Sequence, residues 1–298
     1  MDTLTTAEQL RARVSAWKRD GLRVGFVPTM GNLHAGHYSL IELAKRHADR
    51  VVASVFVNPT QFGPNEDFAQ YPRTLDADAE GLAAHGCDVL FAPTVAEMYP
   101  EGAENAVLIR APGNTDILDG AHRPGHFDGV ATVVARLFDM VQPDVAVFGQ
   151  KDYQQLQVIR SLVRDLSLPI EVIAGPTVRA EDGLALSSRN QYLSAAERAI
   201  APEIPRTLLQ MCYAERTRQP LSMIEAEAVR RLTAVGFVVD YAKILRGDLA
   251  PPSDDEHGEM VALIAARLGK TRLIDNMLLD RSVEHGPARR SGFSLGFD

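Results

Sequence analysis

The chain has 298 residues and a net charge of −8, and 46% of its residues are hydrophobic and 23% charged. These values are typical of a globular protein of one or two domains, and the negative charge argues against general affinity for nucleic acid. Residues 1–21 lack the apolar core of a secretory signal, and no apolar run approaches the roughly 20 residues of a membrane helix. Cys87 and Cys212 have no metal-site spacing, so we expect free thiols and a cytoplasmic protein without membrane partners.

A strand, a loop and a second helix are predicted near the N-terminus, after a first helix over Thr6–Asp20. The apolar run Arg23–Pro28 is bounded by proline and glycine, which is typical of a buried strand that ends in a tight loop. Residues Tyr38–His47 carry apolar side chains at helical spacing, which predicts an amphipathic helix. The loop between them therefore leads into a helix start, where backbone N–H groups favour bound anions.

Two histidines, His34 and His37, lie in this loop. A protonated imidazole can donate to a phosphate oxygen, since histidine titrates near neutrality, and Gly36 would let a nucleotide approach the backbone closely. The pattern is weak by itself, because two ordinary turn histidines would look the same. Its position after the first strand of a chain of strand–helix repeats favours phosphate binding.

Strands and helices alternate along the middle of the chain. We expect strands over Arg50–Val57, Asp88–Ala92, Asp144–Phe148 and Ile170–Ala174, and helices over Leu75–His85, Gly129–Val141 and Tyr153–Leu166. Continuous apolar strands that alternate with helices predict a parallel sheet covered on both faces. Ligands of such sheets bind beyond the carboxyl ends of the strands, so the loops that follow the strands are the candidate site.

A long stretch from Pro93 to Gly129 interrupts this alternation with repeated prolines and glycines. Its most apolar part, Val107–Arg110, is a possible short strand. Loops of this length without regular structure are usually functional or disordered.

The pattern changes after Val178, where we place a domain boundary. A polar loop over Arg179–Arg189 precedes two predicted helices and three strands: Ser194–Thr217, Ser222–Val235, Phe237–Leu245, Met260–Arg267 and Thr271–Leu279. We therefore predict an α/β protein with a Rossmann-like parallel-sheet N-terminal domain over 1–178 and a smaller α+β C-terminal domain over 179–280. The tail over 281–298 has no periodicity and is predicted to be disordered.

Six segments together carry a family resemblance. In chain order they are PTMGNLHAGH (28–37), FVNPTQF (56–62), YPRT (71–74), RPGHF (123–127), FGQKDYQQ (148–155) and LALSSRN (184–190). Their order and spacing resemble the pantothenate synthetase (pantoate–β-alanine ligase) family over about residues 3–280. The HxGH pattern alone would indicate only the wider HxGH nucleotidyltransferases, relatives of the class I aminoacyl-tRNA synthetases.

The resemblance implies a two-step ligation that uses ATP and Mg²⁺. The carboxylate of pantoate attacks the α-phosphorus of ATP and releases pyrophosphate, and the amine of β-alanine then attacks the pantoyl adenylate and releases AMP. In-line displacement at phosphorus asks the protein mainly for positioning and charge neutralisation. The resemblance also suggests a homodimer formed through the N-terminal domain.

Residues that match the family's ATP site fall in three segments. They are Met30, Gly31, Asn32, Leu33, His34, Ala35, Gly36 and His37; then Gly149, Gln150, Lys151 and Asp152; then Val178, Leu186, Ser187, Ser188 and Arg189. The catalytic set implied is His34, His37, Lys151, Ser187, Ser188 and Arg189, with His37 as the usual proton donor. Two alternatives stay open from the residues alone: Lys151 as a solvated surface lysine, and Asp152 as a helix cap instead of, or besides, a ribose ligand.

Three amides match the family's substrate residues: Gln61 for pantoate and β-alanine, Gln155 for pantoate, and Asn58 beside Gln61. An amide can donate to a carboxylate and accept from a hydroxyl or an ammonium. Asn58 could equally be a turn residue before proline. Asp78 is the candidate protein ligand of Mg²⁺, although a carboxylate on a helix surface would look the same.

One position departs from the family pattern, because Gln150 stands where a glutamate is usual. If the charge of that glutamate orients Lys151, then Gln150→Glu should raise activity modestly. Two other functions remain open: a nucleotidyltransferase that needs no amine acceptor, and a nucleotide-binding protein without catalysis. The first leaves FVNPTQF and RPGHF unexplained, and the intact His34, His37 and Lys151 argue against the second.

Overall fold

The computed structural model describes residues 1–63, 68, 71–111, 113, 115–252 and 258–279. The predicted tail over 281–298 lies outside the described residues. Within the described ranges, no helix combines the length and the apolar character needed to cross a membrane.

Six parallel strands form the N-terminal sheet. They are β1 (Asp2–Leu4), β2 (Val24–Thr29), β3 (Arg50–Val55), β4 (Val89–Phe91), β5 (Val145–Gly149) and β6 (Glu171–Gly175). Their order across the sheet is β1-β4-β3-β2-β5-β6. The chain therefore builds outward from β2 on one side and returns to β5 on the other, so β2 and β5 flank a topological switch point, where open α/β sheets bind their ligands.

Helices cover both faces of this sheet. They are α1 (Ala7–Arg19), α2 (Ala35–His47), α3 (Leu75–Ala84), α4 (Val95–Met98), α5 (Asp119–His122), α6 (His126–Val141) and α7 (Tyr153–Asp165). Phe26 of β2 packs with α1 and α6 in one core, and its neighbour Val27 packs with α2 in another. Because successive side chains of a strand point to opposite faces, burial on both faces requires the continuous apolar runs seen in the sequence.

A second, antiparallel sheet follows in the order β7 (Val238–Arg246), β8 (Met260–Leu268) and β9 (Thr271–Leu279). Three helices precede it: α8 (Ala195–Ile200), α9 (Glu203–Arg216) and α10 (Leu221–Ala234). Helices α9 and α10 pack on the sheet through Leu208 and Leu232, which are fully buried. The predicted fold class, a parallel α/β sheet with a smaller α+β part, is confirmed.

Several local predictions differ from the structure. Val107–Arg110 is not a strand: the N–H of Ile109 donates to Thr132 Oγ1 at 2.8 Å, a side chain of α6 and not a neighbouring strand. The single helix predicted over Ser194–Thr217 is broken between α8 and α9, where Pro202 lies. Strand β1 was not predicted, because three residues are too short for an alternating pattern.

Candidate active site

The two histidines form the start of helix α2. His34 is the N-cap residue, and its Nδ1 accepts from the N–H of Gly36 at 3.1 Å. His37 lies in the first turn, and its Nδ1 accepts from the N–H of His34 at 3.3 Å. This reciprocal arrangement is a capping box made of two imidazoles. It starts the helix three residues earlier than the sequence predicts, at Ala35 and not at Tyr38.

The capping bonds fix the protonation pattern of both rings. Because each Nδ1 accepts a hydrogen bond, the proton of the neutral ring lies on Nε2, and that N–H is free to donate to a ligand. Burial, followed by the nearby charge of Lys151, lowers the pKa of His34 to about 4. Burial, then His34 and Lys151, lowers the pKa of His37 to about 3. These lowered pKa values favour neutral rings with N–H donors at pH 7, in place of the protonated imidazoles that the sequence suggested.

Gly36 is required by the capping box itself. A Cβ built at Gly36 would lie 2.8 Å from Cε1 of His34, so a side chain there would displace the histidine ring. The reason differs from close approach of a nucleotide, which the sequence suggested. The preceding loop also needs unusual backbone, since Gly31 has φ 85° and Asn32 has φ 53°.

Asp78 holds this loop in place from helix α3. Its Oδ2 accepts from the N–H of Asn32 at 3.0 Å and its Oδ1 from the N–H of Leu33 at 2.8 Å. Thr74 Oγ1 also donates to Oδ2 at 3.1 Å, and the residue is only 2% exposed. Both carboxylate oxygens are thus committed to protein donors. Among the described residues no three His, Cys, Asp or Glu side chains are grouped so that they could hold a metal. The role of Asp78 as a Mg²⁺ ligand stays a prediction, and its bonds to the loop compete with it.

Asn58 is likewise saturated by the protein. It is fully buried, and its Nδ2 donates to Gln61 Oε1 at 3.1 Å and to the carbonyl of Gly129 at 3.3 Å. Its Oδ1 accepts from Tyr99 at 2.9 Å and from Thr60. No polar atom of its side chain faces open space, so these internal bonds compete with the contact to substrate, which stays a prediction. Its bond to Oε1 instead leaves the Nε2 of Gln61 as the donor that this amide can offer.

The loop after β5 supplies the cation. Lys151 has a side chain 18% exposed, and its Nζ lies 3.7 Å from Asp152 Oδ2. Asp152 precedes helix α7, but its side chain makes no capping bond, so that alternative is not realised. One turn into α7, half-buried Gln155 faces the same cavity as Lys151.

The second predicted phosphate segment follows a short antiparallel ribbon. Arg179 pairs with Ala185, and the N–H of Leu186 donates to the carbonyl of Val178 at 2.9 Å. Ser187 then caps a 3₁₀ helix over Ser188–Tyr192, with Ser187 Oγ accepting from the N–H of Arg189 at 3.3 Å. The ribbon thus delivers Ser187 and Arg189 to the cavity wall.

A cavity of about 570 Å³ joins the loop after β5, helix α7 and the second phosphate segment. The predicted residues among those that line it are Lys151, Asp152, Gln155, Ser187 and Arg189. The described lining includes six Lys and Arg side chains against three carboxylates, two of which (Asp119 and Asp275) are paired with arginines. A chain of net charge −8 therefore contains a local basic cavity suited to polyphosphate. His34 and His37 lie close enough to Lys151 for its charge to lower both pKa values.

Sequence reasoning missed several residues around this cavity. Arg123 and His126 line it, and both contact the carbonyl of Gln61, at 3.2 Å from Arg123 Nη2 and 2.9 Å from His126 Nδ1. They belong to RPGHF, a segment that we noted without giving its residues a role. Arg272 of β9, which pairs with Asp119 at 2.6 Å, had no local signal at all.

Comparison with known proteins identifies the family. A sequence model described as pantoate-beta-alanine ligase matches residues 2–278. The chain belongs to the pantoate–β-alanine ligase family. It is 61% identical to a pantothenate synthetase of Xanthomonas axonopodis pv. citri over 277 residues, which cover 93% of this chain and 99% of that one.

Solved structures of this ligase family share the fold. A pantothenate synthetase from Thermus thermophilus is 50% identical, covers 94% of this chain and 100% of that one, and gives a TM-score of 0.87. A pantoate-beta-alanine ligase from Francisella tularensis, solved with beta-gamma ATP and beta-alanine, is 36% identical. It covers 97% of this chain and 100% of that one, with a TM-score of 0.77.

Proposed function

We propose that this chain condenses pantoate with β-alanine to pantothenate through a pantoyl adenylate, with release of pyrophosphate and AMP. The observation that carries the proposal is the cavity in which Lys151 and Gln155 of the parallel sheet face Ser187 and Arg189 of the second phosphate segment. This arrangement places an amide for a small polar acid beside cations and hydroxyls for a polyphosphate. The membership of the ligase family supplies the substrates.

In the first step, a carboxylate oxygen of pantoate forms a bond to the α-phosphorus as the bond to pyrophosphate breaks. Lys151 neutralises charge at the α-phosphate, and Ser187, Ser188 and Arg189 bind the departing phosphates. The Nε2–H groups of His34 and His37 donate to phosphate oxygens. Since both rings are neutral in the free protein, they act first as dipolar donors, and a bound polyphosphate would raise their pKa.

The same loops hold the nucleotide. We assign the backbone of residues 30–37, together with Gly149, Gln150, Asp152, Val178 and Leu186, to contacts with the nucleoside and the phosphates. Several N–H groups of this segment are already bonded within the protein: those of Asn32 and Leu33 to Asp78, and those of His34 and Gly36 to the histidine rings. Their contribution is the shape of the loop.

In the second step, the amine of β-alanine attacks the adenylate carbonyl, AMP leaves, and the amine loses a proton. Gln61 and Gln155 position pantoate, and Gln61 also contacts β-alanine. Asn58 acts through Gln61, because its Nδ2–H bond to Oε1 holds that amide with Nε2 available as a donor.

Mg²⁺ is proposed to arrive bound to the phosphates of ATP, without Asp78 as a ligand. Ions of this kind keep most of their waters and bind through substrate phosphates. The charged residues of the described cavity wall are mainly cationic, with six Lys and Arg against three carboxylates, so the chain fits a metal carried by the nucleotide better than a resident ion.

We also propose a cytoplasmic homodimer. Val107 and Leu108 are 80% and 61% exposed. Within the described chain the N–H groups of Leu108 and Arg110 make no hydrogen bond, while those of Ile109 and Ala111 are held by helix α6. An extended apolar segment with one edge free is suited to pairing with its copy in a second subunit.

The domain assignment is part of the proposal. Residues 1–178 would bind ATP and pantoate, and residues 179–280 would form a lid that closes over the phosphates and excludes water. Asn276 of β9 connects the two parts, because its Nδ2 donates to two carbonyls of the loop after β5.

The deciding experiment is pantoate-dependent exchange of pyrophosphate into ATP in the presence of Mg²⁺, first without and then with β-alanine. We expect exchange without β-alanine, and AMP and pantothenate after it is added. Exchange without amide product would point to a nucleotidyltransferase. ATP binding without any exchange would point to a binding protein.

A further inference from the structure

Two adjacent polar residues lie in the interior of strand β9. Asp275 is 3% exposed and Asn276 is 2% exposed, whereas the buried Leu273 and Leu279 of the same strand pack in the apolar core of the second sheet. Buried polar groups are costly unless they are hydrogen-bonded. The partners of these two residues lie in the loops that the proposed function assigns to ATP.

Asn276 holds the loop after β5. Its Nδ2 donates to the carbonyl of Gln150 at 2.9 Å and to the carbonyl of Lys151 at 2.9 Å. Its Oδ1 lies 3.5 Å from Nε2 of Gln150. Because the side chain of Lys151 starts from the backbone that Asn276 holds, this amide sets the position from which the lysine reaches the cavity.

Asp275 holds the ribbon that leads to Ser187. It accepts from Arg179 Nη1 at 2.6 Å and from Nη2 at 3.0 Å, which is a bidentate pair. Arg179 in turn donates to the carbonyl of Gly183 at 3.1 Å across the ribbon turn. Successive side chains of a strand diverge to opposite sides, so one dipeptide can reach two separate loops.

We propose that Asp275 and Asn276 are positioning residues that set the spacing between the two phosphate-binding segments, Gly149–Asp152 and Leu186–Arg189. The inference rests on the proposed function, because it takes both segments as contacts of the same ATP. Neither Asp275 nor Asn276 is assigned a polar contact with substrate. They fix the distance between the cation of Lys151 and the donors of Ser187 and Arg189, and this distance must match one polyphosphate chain.

The test uses the full chain and isosteric variants. Asn276→Asp keeps the size but replaces the two donor bonds with repulsion from two carbonyls, and Asp275→Asn removes the charge that holds Arg179. We expect kcat for pantoate-dependent exchange to fall about 10- to 100-fold, as for a misplaced catalytic group. The KM for β-alanine should change less than about threefold. Leu268→Ala, in the core of the same sheet, is the control for stability alone.

A coupling measurement separates positioning from general weakening. If Asn276 acts through Lys151, then adding Asn276→Asp to the Lys151→Met variant should lower kcat by less than about threefold. The proposal would be overturned if the losses in kcat of Asn276→Asp and Lys151→Met multiply in the double variant. It would also be overturned if Leu268→Ala lowers kcat as much as Asn276→Asp does. If Asn276→Asp does not fold, Asn276→Ser and Asp275→Asn serve in its place. Absence of exchange in the unmodified chain would overturn the proposed function instead.

Discussion

The two loops that flank the topological switch point are held in different ways. The loop after β2 is fixed by its own histidine caps and by Asp78, all within the parallel-sheet part of the chain. The loop after β5 is fixed by Asn276, which belongs to the second sheet. One half of the phosphate site is therefore held by contacts within the parallel-sheet part, and the other half is held by the second sheet. Substitutions can test this difference.

The largest effect is expected at the β5 loop itself. Lys151→Met removes the cation that we assign to the α-phosphate while keeping the length of the side chain. Loss of one preorganised charge of this kind costs about 10²–10³ in kcat, measured by pantoate-dependent exchange. Lys243→Met, at an exposed lysine paired with Glu225 at 2.7 Å, is the matched control. Equal activity of the two variants would contradict the role of Lys151.

The next effect tests the β2 loop. Asp78→Asn leaves one of the N–H groups of Asn32 and Leu33 without a good acceptor, which should lower the free energy of unfolding by about 1–3 kcal/mol. The KM for ATP should rise about tenfold as the loop loosens. Asp76→Asn, on the exposed side of the same helix, is the control.

The same variant distinguishes loop anchoring from metal binding. A Mg²⁺ ligand lost at Asp78 would be compensated in part by excess Mg²⁺. Loss of a backbone contact would not, so we expect the KM for ATP to stay high at every Mg²⁺ concentration.

A smaller effect concerns acid stability. His37 has its pKa lowered to about 3, while the unfolded chain binds this proton near the ordinary value of about 6.5. The unfolded state therefore holds more protons between these values, and stability is full above about pH 6.5 and falls on acidification. The free energy of unfolding should therefore decrease less on acidification in His37→Gln, by on the order of 1–2 kcal/mol between pH 7 and about pH 4.5.

Denaturant unfolding at a series of pH values would measure it. His47→Gln, at the other end of helix α2, is the comparison variant. If both variants flatten the pH dependence equally, the imidazole cap is not the source of the acid sensitivity.

The smallest effect is expected at Gln150. Its Nε2 lies 3.5 Å from Asn276 Oδ1, so Gln150→Glu would place a carboxylate oxygen against an amide oxygen. We therefore expect kcat/KM for ATP to fall about two- to threefold, in line with the loss of one weak hydrogen bond. The family pattern alone favours a modest rise, in which the charge of a glutamate at position 150 orients Lys151. A measured rise would show that this charge outweighs the contact with β9.

Much of the fold and part of the site follow from local sequence. The apolar runs predict β2 to β6, and helical spacing predicts α1, α3, α6 and α7, because the period of a strand or a helix is set by neighbours in the chain. The strand-end loops with HAGH and QKD lie at the switch point because β2 and β5 are neighbours in the sheet, which local periodicity does not decide. The break between α8 and α9 was missed although Pro202 marks it.

The sequence by itself determined which segments would be strands, helices and polar loops, and which loops carry phosphate-binding side chains. Only the tertiary structure decided how those side chains are used. Burial lowers the pKa of His34 and His37. The side chains of Asn58 and Asp78 form hydrogen bonds within the protein. Asn276 donates a hydrogen bond to the carbonyl of Gln150, which lies 126 residues earlier in the chain. Desolvation and long-range hydrogen bonds depend on what packs nearby in space, and no local periodicity encodes that.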